Sequence, residues 1–198
     1  MVRAKEVVIA WDARFSDSVY YIAIVELQNL GTAWAKISAG DSDYTVLDQD
    51  GGVVTTGTFL YEYPKFIGPG ETGFLIWDSI EDGYKVKDFA SIETTGRYEE
   101  VDGPDVTFEV SDIVWKRSQL SDGLIATGFV TADKDVEDAA LAVVCLDADG
   151  KVLGATTTNL LQNLSAGKRK GFKTVTETGP LGPGACQQSV GYAEDTGF

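Results

Sequence analysis

Residues 44–51 read Tyr44-Thr45-Val46-Leu47-Asp48-Gln49-Asp50-Gly51, and Val53-Val54 follows them. A β-branched run that enters an Asp-Gly turn and resumes as a second apolar run is the pattern of a β-hairpin. Residues 143–150, which read Val143-Val144-Cys145-Leu146-Asp147-Ala148-Asp149-Gly150, show the same pattern, with Val152-Leu153 after them. The recurrence of one hairpin in both halves of the chain predicts an internal repeat.

A second pair of matching segments supports the repeat. Residues 67–74 read Ile67-Gly68-Pro69-Gly70-Glu71-Thr72-Gly73-Phe74 and align with Ser165-Ala166-Gly167-Lys168-Arg169-Lys170-Gly171-Phe172. The two matches lie 99 and 98 residues apart, so the copies keep nearly the same register. We therefore predict an all-β chain of two consecutive immunoglobulin-like β-sandwich domains, residues 1–100 and 101–198, with residues 98–105 as a polar linker.

Apolar runs recur about every ten residues between clusters of Gly, Asp, Asn and Pro, a rhythm that is typical of a sandwich or a barrel. The predicted strands of the first copy are residues 6–11, 20–28, 44–48, 53–63, 73–78 and 90–94. Those of the second copy are residues 107–115, 124–131, 139–147, 152–159, 170–176 and 186–192.

The segments Tyr44-Thr45-Val46-Leu47-Asp48 and Val143-Val144-Cys145-Leu146-Asp147 resemble the Phe-x-Leu-Tyr-Asp pattern of the FxLYD-type domain. That domain is a small β-sandwich of bacterial and archaeal proteins, mostly secreted or bound to the envelope. Its Asn-containing turn resembles Glu26-Leu27-Gln28-Asn29-Leu30-Gly31, and its Pro-Gly-acidic turn resembles Pro69-Gly70-Glu71. The second copy departs from both turns, at Ala132-Asp133 and at Ala166-Gly167. The resemblance implies a non-catalytic, extracytoplasmic module and names no ligand.

The charge of the chain excludes several classes of partner. With 16 basic and 31 acidic residues the formal net charge is −15, which repels nucleic acid phosphates and anionic membrane surfaces. The short basic cluster Lys168-Arg169-Lys170 is therefore interpreted as a solvated loop. The sequence contains no run of 18 apolar residues, so it predicts no membrane-spanning segment.

The first residues do not form a signal peptide, because Met1 to Lys5 and the following Glu6-Val7-Val8-Ile9-Ala10 are too short and too acidic. The protein is then either cytoplasmic or exported by a signal segment that this sequence lacks. The family resemblance favours export, so we expect an extracytoplasmic location.

The chain contains no histidine, which removes the commonest general base and most catalytic zinc sites. We therefore predict no catalytic residues, no metal and no cofactor. An enzyme would have to use a pair of carboxylates, as glycoside-active enzymes do, and no acidic pair in the sequence stands out for that role.

The Asp-x-Asp-Gly turns allow a calcium interpretation, because alternate carboxylates beside glycine resemble part of an EF-hand loop. If Asp48 and Asp50 occupied the third and fifth loop positions, Val46 and Gly57 would stand where oxygen ligands are required. The alternative is a simple hairpin turn, which Asp-Gly favours because glycine adopts positive φ readily.

The two cysteines, Cys145 and Cys186, both lie in the second copy. An even number of cysteines in one sandwich is what an internal disulfide requires, so we predict a bond between them. The alternative is a pair of buried free thiols acting as small apolar residues.

Aromatic residues supply the candidate ligand-binding positions. Strand alternation would place Phe59, Tyr61 and Tyr63 on one face, either inside the core or as an exposed stripe able to stack on a glycan or a partner protein. Trp34, in the polar context Gly31-Thr32-Ala33, is the third candidate for exposure after Tyr61 and Tyr63.

These observations predict a non-catalytic binding or spacer protein whose partner is a protein or a glycan surface. The alternative is an accessory or inhibitor subunit that docks another protein through its edge strands or its aromatic stripe. The sequence specifies neither the ligand nor the oligomeric state.

Overall fold

The computed structural model describes residues 1–12, 17–118, 123–158, 160–175, 178–182 and 184–196. The chain divides into two compact units, Met1–Gly103 (unit 1) and Pro104–Phe198 (unit 2), and both consist of antiparallel sheets. The predicted all-β sandwich fold is confirmed. The relation of the two units by an internal repeat stays a prediction. No helix in the described part of the chain is long and apolar enough to cross a membrane.

The described residues of unit 1 form two four-stranded sheets. Its strands are β1 (Val2–Asp12), β2 (Ser18–Asn29), β3 (Trp34–Leu47), β4 (Val53–Thr58), β5 (Tyr61–Tyr63), β6 (Phe66–Ile67), β7 (Thr72–Asp82) and β8 (Ser91–Val101). One sheet has the order β1-β2-β7-β5, and in the other β3 pairs with β4, β6 and β8. A 3-10 turn, Val86–Asp88, precedes β8.

The described residues of unit 2 form one three-stranded and one four-stranded sheet. Its strands are β9 (Phe108–Arg117), β10 (Leu124–Ala132), β11 (Val136–Leu146), β12 (Val152–Thr157), β13 (Leu161–Leu164), β14 (Lys170–Lys173) and β15 (Gln188–Asp195). The smaller sheet has the order β14-β10-β9, and in the larger one β11 pairs with β12, β13 and β15. The predicted strand ends Asn159 and Thr176 lie outside the described residues.

The two predicted hairpins are present and share one irregularity. The β3–β4 register shifts between Val46 and Leu47, and the β11–β12 register shifts between Cys145 and Leu146. Each shift lies at the last pair before the turn, so both hairpins leave their sheets in the same manner.

Two boundaries differ from the prediction. β3 begins at Trp34, ten residues before the predicted start at Tyr44, and its first half pairs with β8 from Trp34–Val101 to Ser38–Arg97. The predicted linker is therefore wrong over residues 98–101, which belong to β8, and the chain divides after Gly103. The polar residues of that segment misled the prediction, because an edge strand exposed on one side tolerates them.

Large aromatic rings fill the core of unit 1. The Tyr21 and Tyr44 hydroxyls hydrogen-bond to each other at 2.9 Å, and Phe59 and Phe89 pack against them with ring centroids 5.1 and 5.2 Å away. Burial raises the pKa of Tyr21 and of Tyr44, so both hydroxyls stay neutral. The pair satisfies two polar atoms that would otherwise be costly to bury.

Smaller side chains and a disulfide complete unit 2. Its core cluster is rich in alanine and valine, with Leu141, Leu164 and Phe172 as the larger members. Cys145 is fully buried and is bonded to Cys186 across 41 residues of sequence, which confirms the predicted disulfide.

We expect Gly57→Ala to destabilise unit 1. Gly57 lies opposite Tyr44, and a Cβ atom there would lie 2.6 Å from Tyr44 Cζ. Because Tyr21 and Phe59 hold that ring, we expect a loss of about 1–3 kcal/mol in urea denaturation. Gly40→Ala is the control, since no atom lies within 4 Å of its added Cβ. Equal unfolding midpoints for the two variants would contradict this account.

We expect the double variant Cys145→Ala, Cys186→Ala to destabilise unit 2 alone. A bond that closes a loop of 41 residues lowers the conformational entropy of the unfolded chain, which raises the free energy of unfolding by about 4 kcal/mol. Hydrogen exchange read by mass spectrometry measures the two units separately. Exchange should accelerate in peptides from β11 and β15 and stay unchanged in peptides from β2 and β7, and unchanged exchange in β11 would refute the expectation.

Candidate functional site

The predicted aromatic stripe does not form as one face. Phe59 and Tyr63 are buried at 0% and 2% exposure, whereas Tyr61 between them is 47% exposed. Residues 59 and 60 lie between β4 and β5, so strand alternation is interrupted there. Phe59 belongs to the core of unit 1, while Tyr63 lies opposite Phe74 in the β5–β7 pair. Neither the all-core nor the all-exposed interpretation of the stripe describes it.

Tyr61 is the candidate of this group that reaches solvent. Its ring stacks on Tyr63 at 6.3 Å and on Trp77 at 6.5 Å. Leu60, its neighbour in sequence, is 56% exposed. Tyr61 therefore presents one ring at the edge of the sheet rather than a row of rings.

Trp34 is half-buried and lies apart from Tyr61 in the fold, at the start of β3 in the other sheet of unit 1. Its ring covers two glycines, and a Cβ atom added to Gly68 or to Gly103 would lie 3.2 Å from it. This packing closes the end of the β3–β8 pair, so the predicted exposure of Trp34 is only partial.

A larger exposed surface was missed by the sequence analysis. Trp11 lies opposite Tyr20 in the β1–β2 pair, and Tyr20 lies opposite Ile80 in the β2–β7 pair. Opposite residues share a face, so the three side chains form one row across three strands, named here the Trp11 row. Tyr20 is 39% and Ile80 43% exposed, and Trp11 stacks on Tyr20 at 5.8 Å with 14° between the planes.

The Trp11 row has a polar border. Ser18 begins β2 beside Tyr20 and donates a hydrogen bond to Asp82, which ends β7 beside Ile80. A signal for the row existed in the sequence, because Trp11 ends one predicted strand and Tyr20 begins the next. Consecutive strands that pair as a hairpin bring such residues opposite each other.

The Asp-x-Asp-Gly turns use their first aspartate on their own backbone. Asp48 Oδ1 accepts hydrogen bonds from the Asp50 and Gly52 amides at 2.9 and 2.7 Å. Asp147 Oδ1 accepts from Asp149 and Lys151, both at 2.9 Å. These are the side-chain contacts of an Asx turn, in agreement with the hairpin-turn interpretation. Among the described residues, no three Cys, Asp or Glu side chains gather in a way that would hold a metal ion.

The basic cluster binds groups within unit 2. Arg169 forms an ion pair with Asp112, and its guanidinium lies 4.1 Å from the centroid of the Phe129 ring. Lys170 Nζ donates to the backbone oxygen of Gln162. Two of the three cations are thus engaged at the surface of the unit.

No family model and no curated protein matches the chain. A solved structure described as the X-ray structure of Northeast Structural Genomics Consortium target SoR45 is similar over 84% of this chain and 86% of its own. Its identity is 13% and its TM-score 0.24, so the similarity carries no argument about fold or function. The resemblance to FxLYD-type domains stays a prediction.

We expect Glu62→Gln to stabilise unit 1 at neutral pH. Burial raises the pKa of Glu62, and the nearby charges of Lys65 and Lys36 offset this only in part. A carboxyl group whose folded pKa is raised favours folding below its unfolded pKa, and this contribution is lost as pH rises through the folded pKa. Urea denaturation should therefore give the variant the higher midpoint at about pH 7 and little difference at about pH 4.

The control for this pH dependence is Glu100→Gln, which neutralises an exposed carboxylate on β8. We expect this variant to show the same change in urea unfolding midpoint between the two pH values as the wild type. A Glu62→Gln protein that keeps the pH dependence of the wild type would rule out Glu62 as its source.

Proposed function

We propose that the chain is a non-catalytic, extracytoplasmic binding protein made of two β-sandwich modules. The Trp11 row is the observation that carries this proposal. Adjacent large apolar side chains left at the surface of a paired sheet are typical of a contact surface, because solvent exposure of such groups is otherwise unfavourable. Aromatic side chains also contribute strongly to the free energy of binding, because they bury a large area and lose little conformational entropy when they are immobilised.

The sheet beneath the row suits a binding surface. β1 and β2 pair without interruption from Val2–Asn29 to Asp12–Val19, and β2 and β7 pair from Ser18–Asp82 to Gln28–Thr72. A side chain held by two continuous ladders has little freedom to move relative to its neighbours. The row therefore needs little reorganisation when a partner binds.

The extracytoplasmic part of the proposal is supported by the disulfide. Bonds such as Cys145–Cys186 persist mainly in oxidising compartments, and the resemblance to FxLYD-type domains favours the same location. The net charge of −15 works against nucleic acid as the partner and leaves proteins and neutral or basic glycans.

The proposal is tested by removing the exposed apolar atoms of the row with Tyr20→Ser and Ile80→Ser together. The matched control is Leu30→Ser with Leu60→Ser, which removes two side chains that are 52% and 56% exposed elsewhere in unit 1. Binding is measured by capture from envelope fractions of the native host and by affinity electrophoresis in soluble polysaccharides.

We expect the row variant to lose a partner that the wild type and the control variant both retain, while circular dichroism shows all three proteins folded. Selective loss of a protein would favour the accessory or inhibitor role, and selective loss of polysaccharide retardation would favour glycan binding. Equal binding by the three proteins would retire the Trp11 row as the contact surface.

A further inference from the structure

Unit 1 contains a second feature, a cavity of about 120 Å³ at the side where β1 and β8 approach each other. Its floor is aliphatic and consists of Val25, Leu27, Ile37 and Leu75. These residues belong to both sheets, so the cavity continues the core outward to the surface. It lies inside the sandwich, on the opposite face of the sheet from the Trp11 row.

The rim of the cavity is polar. Glu6 accepts a hydrogen bond of 3.1 Å from the Thr94 hydroxyl, which joins β1 to β8 at one end of the opening. Arg97 and Tyr98 lie further along β8, and Tyr98 is 44% exposed. In the part of the chain that the structure describes, Arg97 forms no ion pair. An aliphatic floor with a polar rim is the usual form of a binding pocket.

A bulge and two small residues create this space. The β3–β8 register passes from Ser38–Arg97 to Asp43–Thr95, so residues 39–42 bulge out of the pair opposite Gly96. Gly96 on β8 and Ala4 on β1 leave the space between the two strands unfilled. The buried Ser42 hydroxyl donates to the Ser38 carbonyl at 2.8 Å, which fixes the bulge and makes the cavity a preformed one.

The volume decides what the cavity can hold. Sites for whole small molecules usually measure about 300–1,000 Å³, whereas an apolar cavity of about 150 Å³ accepts one benzene. A cavity of about 120 Å³ therefore fits one apolar side chain and is too small for a complete ligand. A single buried side chain at the centre of a contact is the usual anchor of a larger partner.

Both strands beside the cavity have a free edge. Within the described residues β1 pairs only with β2, and β8 pairs only with β3. An edge strand presents unpaired backbone groups that can accept an added strand, and every second side chain of that strand points toward the sandwich interior. An extended segment needs backbone groups to pair with and a pocket for a side chain, and the free edge and the cavity supply one each.

Charge favours the edge of β8 over that of β1, and a cationic partner over a second copy of this chain. β8 carries Glu93, Glu100 and Glu99, of which Glu99 is ion-paired with Lys36 of β3 at 2.9 Å, against Arg97. The nearby part of β1 carries Arg3, Lys5 and Glu6, so β8 is on balance the more acidic of the two edges. A cationic segment is therefore attracted to β8. A second copy of this chain, with its net charge of −15, is repelled.

We infer that the free edge of β8 binds an extended, cationic segment of a partner protein, which inserts one apolar side chain into the cavity beside Gly96. The segment adds a strand to the sheet of β3 and β8, and the side chains that point away from the sandwich interior remain in solvent near the acidic residues of β8. This site is separate from the Trp11 row, so its test is independent of the outcome for that row.

The probe is the synthetic peptide acetyl-Lys-Thr-Lys-Leu-Lys-Thr-Lys-amide, with a second peptide in which alanine replaces the leucine. Binding to isotope-labelled protein is followed by NMR at low salt. We expect shifts at the amides of β8 and an affinity about tenfold lower for the alanine peptide, because burial of the leucine side chain supplies that difference. Equal affinities, or no shifts at β8, would overturn the inference.

Gly96→Leu fills the cavity from within. A Cβ atom on Gly96 lies 3.4 Å from Ser42 Oγ, an ordinary contact, so the substitution fits the backbone. We expect a folded protein of equal or higher melting temperature that no longer binds the leucine peptide. Gly40→Leu is the matched control, because it adds the same side chain to open space in the bulge and should bind normally.

Ala4→Leu fills the same cavity from β1 and replaces Gly96→Leu if that variant does not fold. A filled variant that is folded and binds the leucine peptide as the wild type does would overturn the inference. Sedimentation of the wild type tests the remaining occupant. A dimer that Gly96→Leu dissociates would assign the cavity to self-association and contradict a cationic partner.

Discussion

Two carboxylate-to-backbone contacts set the register on which the sandwich depends. Asp48 binds two amides of the turn that joins β3 to β4, and this fixes which residues of β3 lie opposite those of β4. A slip by one residue would turn Tyr44 and Val46 from the core to the outside, because side chains alternate strictly along a strand. The aromatic cluster of unit 1 follows from that register. Asp147 makes the same contacts between β11 and β12.

The two units stabilise similar hairpins by different means. Val46 and Cys145 occupy corresponding positions of the two aligned segments, and both are fully buried. In unit 1 the neighbouring space is filled by the rings of Tyr44 and Phe59, which remove a large apolar area from water. In unit 2 the core is alanine-rich, and a covalent bond from Cys145 restricts the unfolded chain instead. Burial and cross-linking are thus alternative sources of stability at two positions that align in sequence.

Features encoded within a few neighbouring residues were predictable, and features that require distant strands to meet were not. The hairpins follow from Asp-Gly turns and β-branched runs, and the disulfide follows from the confinement of both cysteines to one copy. The first half of β3 was missed, because Lys36, Ser38 and Gly40 interrupt the apolar pattern of a strand whose partner, β8, lies about 60 residues away. The sequence does not decide the exposure of Tyr61, because residues 59 and 60 interrupt the strand and reset the alternation of side chains.

The candidate surfaces are only partly visible in the sequence for the same reason. The order of the first two strands indicates that Trp11 and Tyr20 meet, but only the β2–β7 register shows that Ile80 joins them. The cavity is defined by what is missing, since Gly96 and Ala4 appear in the sequence as ordinary small residues. A small residue indicates a cavity only once the strands that face it, here β1 and β8, are known.

The bulge at residues 39–42 also separates β3 into two blocks that pair with β8 independently, one ending at Ser38 and the other beginning at Asp43. Because each block keeps its own register, residues added to or removed from the bulge would change the shape of the cavity and leave the pairing on both sides intact. Sequence change at this one position can therefore diversify a pocket while the remainder of the sandwich stays constant. In this respect the bulge acts as a variable loop placed inside a strand.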